Sequence, residues 1–152
     1  MNYVIEKDWI TEAGLRAVVL LVRNSHRCGY VAIPKDHPLH GVLYYEKSQH
    51  LELPDDEEVG KRGIIPLLTR DPESAGESPG CYFNVHGGLT FSGGDKNYPA
   101  ESDDLWWFGF DCAHYGDGLM GRSEYEEFPV RSTEYVSSEC ENLARQLAEI
   151  NA

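Results

Sequence analysis

A chain of 152 residues with 41% hydrophobic and 26% charged side chains has the length and balance of a single globular domain, expected to span 1–152. Asp and Glu outnumber Lys and Arg 26 to 13, and the resulting net charge of −13 at pH 7 repels polyanions. With no basic cluster anywhere along the chain, duplex nucleic acid is excluded as a ligand.

The first residues, MNYVIEKDWITEAG, carry acids and no apolar stretch of the secretory kind. The longest aliphatic run, AVVLLV, is far shorter than the ~20 residues of a membrane span. A cytoplasmic protein with no membrane partner is expected, with its four cysteines kept as thiols.

Leu15 to Val22 is continuously apolar and rich in β-branched residues, the pattern of a buried strand near the centre of a sheet. The polar stretch Arg23 to His26 turns the chain, and Cys28 to Ile33 forms the returning strand of a hairpin until Pro34 ends it. His37 to Tyr45 is expected to be a loop with room for a short strand. His37 and His40 serve there to fix the loop. Leu51 to Leu68 holds a possible helical turn at Pro54 to Glu58 and an edge strand at Ile64 to Leu68. Thr69 to Gly80, rich in Gly, Pro, Ser and Glu, reads as a surface loop. Glu124 to Glu127 is a solvated charge run. From Ser132 onward, Val136, Cys140, Leu143, Ala144, Leu147 and Ile150 recur on one helical face opposite Glu134, Glu141 and Arg145. The whole is an α+β arrangement: a mixed or antiparallel sheet with a C-terminal amphipathic helix packed on one face.

Two further strands bracket the residues that could carry chemistry. Cys81 to His86 alternates Cys81, Phe83 and Val85 with Tyr82, Asn84 and His86, and a Gly87-Gly88 turn follows. Leu105 to Cys112 puts Trp106, Phe108, Phe110 and Cys112 on one face, and Leu105, Trp107, Gly109 and Asp111 on the other. If the strands are neighbours, their polar faces converge on a pocket lined by Tyr82, Asn84, His86, Trp107, Asp111 and His114. Gly109 would leave space beside the Trp107 wall.

Two chemistries compete for that pocket. His86, Asp111, His114 and Asp117 are residue types that suit zinc or another divalent metal, and with an open coordination position they would support metal-dependent hydrolysis. No recognised metal signature accompanies them, however. Local turn-pinning by hydrogen bonds is the plainer role for the same residues. Thiol catalysis is disfavoured, because Cys81, Cys112 and Cys140 fall on apolar faces; Cys28, after a polar turn, is the one cysteine held open.

Four blocks, CGYVAIPKDHPLHG, NVHGGLTFS, LWWFGFDCAHYGD and TEYVSSECENLARQL, resemble a family of small phage and prophage proteins without an assigned activity. They cover about a third of the chain, and the third block is the most specific. The resemblance implies a setting: an accessory or host-modulating role, including interference with host defence proteins or with their nucleotide-derived signals. The leading expectation is a binding module for a small nucleotide-like ligand or a host protein, with metal-dependent hydrolysis as the alternative.

Overall fold

The computed structural model describes residues 2–52, 76–114, 117–118 and 130–150. Five strands form one antiparallel sheet: β1 (Tyr3–Ile10), β2 (Arg16–Val22), β3 (Arg27–Ile33), β4 (Phe91–Gly93) and β5 (Trp106–Asp111). Their spatial order is β1-β2-β3-β5-β4. A single helical turn, α1 (Pro79–Tyr82), and a long helix, α2 (Thr133–Ala148), complete the described elements. The fold is α+β, with the aliphatic β2 next to the central β3. The possible elements at Pro54 to Glu58 and Ile64 to Leu68 lie outside the described residues, as do Glu124 to Glu127 and most of the Thr69 to Gly80 loop.

The alternation of β5 divides the interior in two. On the helix face, Phe108, Phe110 and Cys112 pack with Val19, Val31 and Ile33 against Val136, Cys140, Leu143 and Leu147 of α2. Gly29 makes that approach close: a Cβ there would collide with the Phe110 ring and the Cys140 sulfur. Ser132 starts the helix by accepting the Tyr135 amide on its hydroxyl, an N-cap worth about 1 kcal/mol. On the loop face, Val18, Leu20, Cys28, Tyr30, Ala32 and Trp107 pack beneath Tyr98, Ala100 and Leu105.

Three expectations are corrected here. Cys81 to His86 is not a sheet strand. Pro79 opens α1 at its N-terminal end, and beyond it the backbone finds partners on helix side chains instead of a ladder. Asn84 N–H donates to Gln146 Oε1 and His86 N–H to Glu139 Oε1, while Asn142 and Gln146 both donate to the Asn84 carbonyl. The apolar alternation survives without the sheet, because Phe83 and Val85 still point into the helix-face core. His37 to Tyr45 is a succession of turns with no strand. The space at Gly109 is filled: a Cβ there would strike the Tyr30 ring, which lies across it.

β1 was not legible as a strand, and its geometry explains why. A bulge between Ile5 and Lys7 shifts the register against β2, so strict alternation breaks at Glu6. Tyr3 packs with the loop-face core and Trp9 with the helix-face core.

Candidate functional site

The glycine turn after Val85 and the turn after β5 meet at one end of the sheet. Gly87 and Gly88 take φ of 67° and 78°, which side chains rarely adopt. Gly87 is needed twice over, since a Cβ on it would run into the imidazole of His114. The result is two His–Asp pairs side by side, with the His86 and His114 ring centroids 6.4 Å apart.

The inner pair is the better sealed. His86 Nε2 lies 2.8 Å from Asp117 Oδ2, and the Asp117 side chain is 1% exposed. Arg131 Nε donates to the other oxygen of Asp117 at 2.8 Å, and the His114 amide donates to Oδ2. Across the ring, His86 Nδ1 is 2.7 Å from the Tyr135 hydroxyl, so one chain of contacts runs Tyr135–His86–Asp117–Arg131. Burial pushes the Asp117 carboxyl up, but the hydrogen bonds from His86, Arg131 and the His114 amide outweigh it. The carboxyl sits below its ordinary range. Tyr135 is pushed the other way, by burial and then by the neighbouring Glu139 carboxylate. Its phenol therefore stays protonated at neutral pH and is no activated nucleophile.

The outer pair is more open. His114 Nε2 lies 3.2 Å from Asp111 Oδ1, and the two side chains are 37% and 30% exposed. The contact is not a hydrogen bond: among the described residues, that nitrogen is the one buried side-chain N or O atom without one. Asp111 Oδ1 accepts the Ala113 amide and Oδ2 the Thr90 hydroxyl, which pins the turn as the plainer reading of the sequence expects.

His26 belongs to the same cluster although its sequence context does not single it out. It is half-buried, and burial lowers its pKa against the opposing pull of Asp111 and Asp117. The signal lies in the pairing of Cys28 with Asp111, which brings the turn between β2 and β3 beside the end of β5.

The structure brings His86, Asp111, His114 and Asp117 together and leaves Trp107 out. Trp107 is fully buried in the loop-face core, with its indole N–H directed to Ser102 Oγ. His86 is held on the helix side by Tyr135. A single pocket with His86 and Trp107 on its walls is therefore not formed. Tyr82 packs at the edge of the helix-face core, and Asn84 is an exposed residue whose backbone is fastened to α2.

The arrangement does not fit a metal. Among the described residues, no three His, Cys, Asp or Glu side chains are placed to hold one. The oxygens of Asp117 already accept from His86, Arg131 and the His114 amide. A thiol mechanism fits no better. Cys28, Cys112 and Cys140 are buried, and burial, followed by nearby carboxylates, pushes the Cys28 thiol to about 11 and the Cys112 thiol to about 12. Cys81, not Cys28, is the half-buried one. No described helix is long and apolar enough to cross a membrane. No family model matches the sequence, and no curated protein or solved structure matches the chain.

Proposed function

We propose that this chain is a small binding module, of the accessory kind its phage-family resemblance implies, that docks on a host protein through the open rim of the His–Asp cluster. The observation that carries the reading is the division of that cluster. His86 and Asp117 are locked inside by Tyr135 and Arg131, while Asp111 and His114 remain partly exposed above them. An inner pair of this kind holds shape, and the outer pair presents the partly exposed Asp111 carboxylate to a partner. Charge favours a basic protein surface over a nucleotide-like ligand, because the chain carries −13 overall and the arginine of the cluster is committed to Asp117.

The test is capture from host lysate with the purified protein as bait, followed by mass spectrometry of bound proteins and small molecules. A basic host protein retained by the native chain and lost from an Asp111→Asn/His114→Ala variant supports the reading. Retention of a nucleotide instead moves the site to a small ligand. Stoichiometric divalent metal on the purified protein, removed by the same variant, would overturn the binding module in favour of the hydrolase.

A further inference from the structure

We propose that β1 is a self-complementary edge at which two copies of this chain join across a two-fold axis. Among the described strands, β1 is an outermost one, eight residues long. Of the four large hydrophobic side chains exposed among the described residues, three lie on it: Val4, Ile5 and Ile10. Unpaired strand edges carrying apolar side chains are templates for pairing with another chain.

The order of residues along the strand selects the second copy as occupant. Antiparallel self-pairing with the axis between Glu6 and Lys7 sets Glu6 opposite Lys7 on both sides of the axis. Val4 then meets Trp9, Tyr3 meets Ile10, and Ile5 meets Asp8. Facing residues agree: Ile5 and Asp8, opposite each other, pair with Leu20 and Val18, which both belong to the loop-face core. Shifting the register by one residue either way would place Glu6 against Glu6 or Lys7 against Lys7. The bulge at Glu6 divides the pairing into two short ladders, Tyr3 to Ile5 against Asp8 to Ile10 of the second copy, one on each side of the axis.

Charge removes the objection that two acidic chains repel. Asp8 is paired with Arg16 at 2.7 Å and Glu6 with Arg27 at 2.6 Å, so with Lys7 this edge carries two acids against three bases. The strip carries a local charge of +1 on a chain of net −13. Beside it, between β1 and α2, runs a cleft of about 520 Å³ lined by Lys7, Thr133, Glu134, Ser137, Ser138 and Glu141. Lys7 lies over the Trp9 ring at 4.3 Å, at the border of that cleft, and the Glu141 carboxylate beside it accepts the Trp9 indole N–H and the Glu12 amide.

Sedimentation equilibrium of the full chain over a wide concentration range tests the proposal. The native chain is expected to show a monomer–dimer equilibrium. Lys7→Glu, which sets acid against acid twice, and Ile10→Asp, at a position 65% exposed, are each expected to weaken it by roughly tenfold or more while the circular-dichroism melting curve stays native. A chain that is monomeric at every concentration overturns the proposal. So does a dimer indifferent to both substitutions, since its interface would then lie elsewhere.

Discussion

Asp117 carries more of the local structure than any other side chain of the cluster, because it joins three parts of the chain: the turn after Val85 through His86, the turn after β5 through the His114 amide, and the approach to α2 through Arg131. Asp117→Asn keeps the shape and removes the charge, leaving Arg131 and His86 facing a neutral amide. A loss of about 1–3 kcal/mol in denaturant unfolding at pH 7 is expected, the usual cost of weakening hydrogen bonds to a charged group. Because the folded carboxyl titrates below its ordinary 3.8, the unfolded chain takes up that proton first. The contribution is complete above that value and disappears as pH falls through the lowered one, so the variant should lack this acid-side step. His26 acts higher. Its folded pKa is depressed below 6.5, so protonation favours the unfolded chain and stability declines as pH drops from 6.5. His26→Gln should flatten the stability curve in that window and leave the Asp117 step in place.

The cysteines belong to the same scale. Iodoacetamide applied to the native protein is expected to label Cys81 first, with Cys28, Cys112 and Cys140 protected until unfolding, as peptide mass spectrometry would show. Rapid labelling of Cys112 would contradict the facing of the whole of β5. Cys112 and Cys140 are buried as the period of their strand and helix faces requires. Cys81 is only half-buried, because α1 replaces the strand that would have buried it.

Among the elements, α2 does two things with two stripes. Its apolar stripe seals the helix-face core, so Leu143→Ala should cost about 2–5 kcal/mol in chemical denaturation, whereas a change under about 0.5 kcal/mol would detach the helix from that core. A neighbouring stripe, Tyr135, Glu139, Asn142 and Gln146, follows helical spacing and grips residues Asn84 and His86 by their backbone and by the His86 ring. The apolar stripe is legible from sequence because burial requires hydrophobic residues at every contact. The polar stripe is not, since an Asn or Gln that holds a distant stretch of backbone looks the same in sequence as one that only faces water. His37 illustrates this too. Its Nδ1 accepts the Leu39 amide, which leaves the Nε2 proton to meet the Leu147 carbonyl at the end of α2. The sequence marks His37 as a loop-fixing residue, but the end of α2 that it fixes is visible only after folding.

At the level of the whole molecule, the β2–β3 hairpin, the two-faced β5 and the C-terminal helix follow from composition and periodicity alone, because each buries apolar surface in a pattern that its own backbone geometry dictates. The proximity of Asp111, His114 and Asp117 is also legible from their short spacing around one glycine-containing turn, but His86 reaches them through Tyr135 and Glu139 of α2 and not as part of a neighbouring strand. Which face each side chain serves was decided by tertiary structure. Trp107 looks like the wall of a polar pocket until the loop carrying Tyr98 and Ala100 covers the second face of the sheet and turns that face into core. Gly109 looks like open space until Tyr30 of the neighbouring strand fills it. His26 joins the cluster only through the pairing of β3 with β5. The physical reason is common to all three. Local sequence sets the direction in which a side chain leaves its own backbone, but what it meets depends on segments distant in the chain, whose packing is a property of the assembled fold.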